Sequence, residues 1–263
     1  MAVGFQGNAR QLAALAWAGI VLVAMSGTVT RTAAAAPHEG KMTKGCVVLL
    51  HGLGRTHRSM APMAAFLEAA GYHIANIDYP STSRAIEALA ETAVTEGIAS
   101  CRKAAPGAPI HFVTHSMGGI LVRYYLAHRR VPELGRVVMI SPPNQGSEAA
   151  EALRSLSFYQ WLNGPAGQQL GTGAGSLPAA LGPVDFPLGI ITGNQSGIFD
   201  FWLTGIFPGE NDGKVSVERA KVAGMTDFVV MGHNHTFIMQ QEDVMDQARF
   251  FLKNGRFRHP AAR

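Results

Sequence analysis

Apolar runs of four or five residues alternate along this chain with amphipathic stretches. Residues 46–50, Cys-Val-Val-Leu-Leu, form a continuous apolar run, which predicts a strand buried on both faces. After His51-Gly52-Leu53-Gly54-Arg55, the spacing of Met63, Phe66, Leu67 and Ala70 predicts a helix. Ser59 is its expected N-cap and Gly71 its stop. Residues 73–77 predict a second strand, ending in Asp78-Tyr79-Pro80. Ser83 is then the expected cap of a long helix whose apolar face carries Ile86, Leu89, Ala90, Ala93, Val94 and Ile98. Pro106 and Pro109 punctuate the approach to a third strand, 110–114, followed by a helix over 120–126. Pro132 marks a break before a fourth strand, 136–140. Strands at 189–192 and 227–231 and a closing helix at 242–252 complete the pattern. Such alternation implies an α/β fold of about six mainly parallel strands with helices on both faces.

Two stretches interrupt the rhythm. Residues 147–162 look helical and carry Phe158, Tyr159 and Trp161, and residues 164–182 are rich in glycine and alanine. Together they read as a cap insertion of about 146–187, because long connections inside a compact domain are usually functional. Residues 196–208 form a loop holding Phe199, Phe201, Trp202 and Phe207. Each stretch leaves the carboxyl end of a strand, where α/β sheets bind ligands, so both are expected to flank the mouth of a site. Their aromatic residues would line a path for an acyl chain or form a surface patch that contacts lipid.

Composition narrows the setting. Of 263 residues, 47% are hydrophobic and 15% charged, ample for one core and too apolar for disorder. Residues 1–36 read as a signal peptide: Arg10 precedes an apolar run, 12–25, and small residues end in Ala33-Ala34-Ala35-Ala36-Pro37. Cleavage after Ala34 or Ala35 is expected, with residues 37–263 as a single domain, secreted or periplasmic. The alternative is an uncleaved membrane anchor, since residues 11–30 are about long enough to span. Removing the leader takes away Arg10 and Arg31 and leaves 20 Lys and Arg against 18 Asp and Glu. So small an excess points to no nucleic-acid partner and to no anionic membrane held by charge. Cys46 and Cys101 remain, as a disulfide of an oxidising compartment or as two buried thiols.

The candidate chemistry centres on Thr114-His115-Ser116-Met117-Gly118, between the third strand and its helix. It nearly matches the nucleophile elbow G-x-S-x-G, in which a sharp turn holds the serine hydroxyl above the sheet. Small residues are needed two places either side of the serine. Gly118 complies and Thr114 departs, so some repacking nearby is expected. A serine needs a base, and the base needs an acid to hold its tautomer. In the chain order Ser, Asp, His, the histidine should follow the last strand. There His235 is preferred over His233. The acid should follow the strand before, where Asp212 in Asn211-Asp212-Gly213 is preferred over Asp200. Asp185 precedes that strand and is on the wrong side. The backbone N–H groups of Leu53 and Met117 are the expected oxyanion donors. His233-x-His235 lacks the clustered third ligand of a metal site, and neither metal nor cofactor is expected.

With these residues in place, the chain resembles bacterial α/β-hydrolases of the lipase and serine-esterase group, and is similar to bacterial relatives of GPI-inositol deacylases. The likeness rests on Val-Val-Leu-Leu-His-Gly, Phe-Val-Thr-His-Ser-Met-Gly-Gly, Asn-Asp-Gly-Lys-Val-Ser and His-Thr-Phe-Ile-Met, and covers residues 45–257. It implies a triad of Ser116, Asp212 and His235 and tolerates Thr114. The expectation is a secreted hydrolase of carboxylic esters with apolar acyl chains. An acyltransferase or thioesterase could use the same triad, and a lipid-binding protein could use the same scaffold without catalysis.

Overall fold

The computed structural model describes residues 44–173, 175–197 and 205–259. Six strands form one parallel sheet: β1 (Cys46–Leu50), β2 (His73–Ile77), β3 (Ile110–His115), β4 (Leu134–Ile140), β5 (Leu188–Gly193) and β6 (Asp227–Met231). Their spatial order is β2-β1-β3-β4-β5-β6. The chain steps outward from β1 to β2, then returns to the other side of β1 for β3. That reversal makes the carboxyl ends of β1 and β3 the switch point of the sheet, where a crevice opens.

Alternating side chains of each strand face opposite layers. Val48, Leu50, Phe112, Val137, Met139 and Ile190 pack under α2 (Ile86–Leu89), α3 (Thr95–Ala104) and α4 (Met117–His128). Val47, Leu49, Val113, Val138, Ile140 and Ile191 pack under α1 (Ala61–Ala69) and α9 (Glu242–Asn254). A π-helical turn, Ala90–Val94, joins α2 to α3. Cys46 and Cys101 form a disulfide, with Cα atoms 5.4 Å apart. It ties the start of β1 to the last turn of α3.

The insertion between β4 and β5 holds α5 (Glu148–Leu153), α6 (Ser157–Gln168) and α7 (Leu177–Ala180). Ser147 and Ser176 cap α5 and α7. Gly164 breaks α6 with φ 58°, and a Cβ there would lie 1.6 Å from the Thr82 carbonyl oxygen, so only glycine fits. Arg123 of α4 fastens the far end of the insertion, donating to the Gly182 carbonyl at 2.7 Å.

Two expected caps are corrected. Ser59 lies inside a 3-10 turn, His57–Met60, and its hydroxyl donates to the Thr56 carbonyl; α1 begins at Ala61, with Met60 before it and Pro62 in the first turn. Ser83 does not cap the long helix, which begins at Ile86. Gln169 of the insertion does so, its Oε1 accepting from the Ile86 N–H at 2.7 Å while its Nε2 donates to the Glu87 carboxylate. A short helix, α8 (Val217–Ala220), has no forerunner in the sequence pattern. Among the described residues no helix is long and apolar enough to cross a membrane. The leader, Asp200 and the aromatics Phe199, Phe201 and Trp202 lie outside the described residues.

Candidate active site

β3 ends at His115 and α4 begins at Met117, so the reversal falls on Ser116 alone. Its φ of 52° is a conformation that non-glycine residues adopt only when surroundings impose it. The Ser116 N–H donates to the Ile140 carbonyl at 2.9 Å and fixes the turn to β4. A Cβ on Gly118 would stand 2.6 Å from the Leu50 carbonyl oxygen and 2.8 Å from that of His51, so the elbow needs glycine there. Thr114, on the other flank, is fully buried, and its hydroxyl has no hydrogen-bond partner among the described residues. Such a group costs about 1–3 kcal/mol.

The chain that follows β6 brings His235 over this serine. His235 Nε2 lies 3.0 Å from Ser116 Oγ, and its Nδ1 lies 2.8 Å from Asp212 Oδ2. With Nδ1–H donating to the carboxylate, Nε2 is left to accept the serine proton. Asp212 is fully buried. Its Oδ1 accepts from the N–H groups of Lys214 and Val215 at 3.0 and 2.9 Å. Burial alone would raise this carboxyl, but His235 and the Val215 N–H outweigh it and hold the group below its ordinary range. Gly193 ends β5 beneath both loops. A Cβ there would lie 2.1 Å from the His233 carbonyl oxygen and 3.0 Å from Asp212 Cβ.

His233 turns elsewhere, its Nε2 2.9 Å from the Asp243 carboxylate. Asp185 lines a separate hollow with His128 and Arg130. No group of three or more His, Cys, Asp or Glu residues that could hold a metal occurs among the described residues.

The loop leaving β1 closes the other side. Gly52 lets it approach the serine: a Cβ there would lie 2.9 Å from His115 Nδ1 and 3.2 Å from Ser116 Cβ. His51 braces the loop, stacked on Tyr79 with ring centroids 4.0 Å apart, while the Tyr79 hydroxyl donates to the His51 carbonyl. Leu53 is thereby set at the wall of the cavity. Met117 is the first residue of α4, where an N–H has no carbonyl one turn behind it within the helix.

Two residues that the sequence pattern did not single out hold the histidine. Burial keeps His115 well below its ordinary pKa and therefore neutral, and its Nε2–H donates to the His235 carbonyl at 2.9 Å. Arg55 Nη2 donates to the Thr236 carbonyl at 3.0 Å. The adjacency of His115 to the serine and of Arg55 to the glycine loop was the only available signal.

A cavity of about 410 Å³ opens above Ser116 and His235. The insertion roofs it with Leu153, Leu156, Phe158, Tyr159, Leu162 and Leu170. The first of the two flanking segments therefore stands where expected. The second is only partly described, and its residues 205–208 do not line this cavity.

Six parallel strands with a strained serine at the switch point, a histidine from the last loop and an acid from the loop before it define an α/β-hydrolase. The chain belongs to the alpha/beta hydrolase family, which it matches over residues 47–245. In fold it is similar to the mature Bacillus licheniformis lipase BlEst2, at 20% identity and a TM-score of 0.61, over 81% of this chain and 93% of that one. Phospholipase PlaB from Legionella pneumophila has 17% identity and a TM-score of 0.61, over 81% of this chain and 59% of PlaB. A thermophilic esterase from Thermogutta terrifontis has 15% identity and a TM-score of 0.50, over 81% and 91%. No curated protein matches by sequence.

Proposed function

We propose that this hydrolase cleaves carboxylic esters of apolar acyl chains through a Ser116–His235–Asp212 triad. The observation that carries the reading is the unbroken hydrogen-bond chain from Ser116 Oγ through both ring nitrogens of His235 to Asp212. As Ser116 Oγ bonds to the ester carbonyl carbon, its proton passes to His235 Nε2. The carbonyl oxygen gains the negative charge and is held by the N–H groups of Leu53 and Met117. Collapse breaks the bond to the alcohol oxygen, which leaves with the proton from His235. Water then attacks the acyl-enzyme by the same path in reverse and frees the acid. Asp212, held ionised, stabilises the imidazolium at each stage. The apolar roof favours the acyl side, so a series of nitrophenyl esters should show kcat/KM rising from acetyl to medium-length chains. Best turnover on acetyl esters would contradict that assignment of the cavity.

We further propose that the roof meets a lipid surface. Phe158 and Trp161 are 70% and 78% exposed, and Phe158 and Leu162 belong both to this apolar patch and to the cavity rim. Trp161 does not line the cavity, so Trp161→Ser tests the surface role by itself. Burying an aromatic side chain contributes about 1.5–3 kcal/mol, so partition onto phosphatidylcholine vesicles should weaken roughly tenfold or more. Unchanged partition would remove the contact.

Export with cleavage after Ala34 or Ala35 is part of the same reading. The leader pattern motivates it, and the Cys46–Cys101 disulfide fits an oxidising compartment. Mass spectrometry of the expressed protein should find a chain starting at Ala35 or Ala36 in the periplasm or medium. A chain starting at Met1 in the membrane fraction would establish the anchor instead.

A further inference from the structure

The cavity is apolar at its roof and carries the Arg55 guanidinium in its wall, with no Asp or Glu among its described lining residues. The buried Asp212 beneath it turns its oxygens to His235 and to the Lys214 and Val215 N–H groups. Arg55 is half-buried and has no carboxylate partner among the described residues. Burial is the cause that lowers its guanidinium from its ordinary value. Arg123, the more deeply buried arginine, places its Nη atoms on Asn144 O, Asn144 Oδ1 and Gly182 O. Among the described residues Arg55 places only Nη2 on an acceptor, the Thr236 carbonyl, and its guanidinium lies 6.0 Å from the Phe237 ring centroid. A guanidinium carries five N–H donors in a planar fork suited to an oxyanion. The fork is therefore held one residue from His235 with donors to spare, at an energetic cost that a bound anion would offset.

Its place in the fold says which part of a substrate it meets. Arg55 and Leu162 belong both to the apolar cavity and to a second hollow beside it, whose walls include Thr56, Ser81 and Thr82. Asp78, the one acid among the described residues of that hollow, accepts from the His57 N–H at 2.9 Å and lies 3.2 and 3.5 Å from the His57 and His51 rings. With the acyl chain under the roof, the alcohol part of the ester extends past Arg55 into this hollow.

We propose that Arg55 is a specificity-determining residue that binds a phosphate on the alcohol part of the substrate, making phosphate-bearing esters of fatty acids the preferred class. This rests on the ester-hydrolase reading above. The fork pairs two donors with two phosphate oxygens, a geometry that lysine cannot reproduce.

The test compares monolauroylglycerol phosphate with monolauroylglycerol. Wild type should favour the phosphate ester at least tenfold in kcat/KM. Arg55→Met should remove that preference, and Arg55→Lys should retain only part of it. Equal losses on both esters in folded Arg55→Met would overturn the proposal and leave Arg55 as a positioning residue for the His235 loop. Calorimetry on wild type provides an arm independent of turnover: octyl phosphate should bind at least tenfold more tightly than octyl glucoside or inorganic phosphate. Equal binding of octyl phosphate and octyl glucoside would overturn the proposal, as would inorganic phosphate binding as tightly as octyl phosphate, which would mark a site for the free ion. If wild type hydrolyses neither ester, the ester-hydrolase reading fails, and calorimetry of octyl phosphate on wild type against Arg55→Met still decides whether Arg55 reads a phosphate: equal binding by the two would overturn the proposal.

Discussion

Ser116→Ala is expected to leave a folded protein whose esterase turnover has fallen by about 10³-fold or more. The Cβ already present in serine is kept, so the elbow conformation at φ 52° is no more strained than before. What disappears is the oxygen 3.0 Å from His235 Nε2. Asp212→Asn should cost about 10⁴-fold, because the amide can hold the wrong tautomer of His235 in place. Labelling by a fluorophosphonate probe should be lost with Ser116→Ala and strongly slowed with Asp212→Asn. A folded Ser116→Ala protein with near wild-type turnover would remove the assignment, and a probe adduct on another serine would relocate it.

The largest expected effect on stability comes from the Cys46–Cys101 disulfide. It closes a loop of 55 residues, for which chain entropy gives roughly 4 kcal/mol of stabilisation. In a domain of this size that is a fall in Tm of about 8–16 °C for the Cys46→Ala/Cys101→Ala double variant. Both ends of the bridge sit away from the elbow: Cys46 opens β1, whereas the glycine loop leaves its other end. Residual activity at low temperature should therefore survive. Thermal melts with and without dithiothreitol should reproduce the difference in the wild type. Equal melting of the oxidised and reduced protein would show that the bridge adds nothing to the fold.

Local pattern carried most of the architecture. β1, β2 and β6 have the bounds that their apolar runs predict, because glycine, proline or polar turns stop each run within a residue. β3 and β5 run on to His115 and Gly193, and β4 and β5 begin earlier, at Leu134 and Leu188, since backbone pairing continues beyond the predicted runs. Two failures are local, Ser59 inside its 3-10 turn and the short α8, and the others are contacts made by distant parts of the chain. The cap on Ile86 comes from Gln169, so no inspection of the residues near Ser83 could find it. The grip of His115 and Arg55 on the His235 loop likewise joins positions more than a hundred residues apart. The disulfide belongs with these, because two cysteines in a sequence carry no distance. The meeting of Ser116, Asp212 and His235 was legible for the opposite reason: chain order, strand ends and turn composition each narrowed the choice before any geometry was known.

The seat of Gly164 against Thr82 bears on how substrate arrives. The insertion is fastened to the segment after β2 at that backbone contact and again through Gln169 to Ile86 and Glu87, and Arg123 pins Gly182 behind it. Swinging it aside would break all three sets of contacts together. The roof therefore stands as a fixed wall over Ser116 rather than a door, and whatever reaches the serine must fit the cavity as it is already shaped.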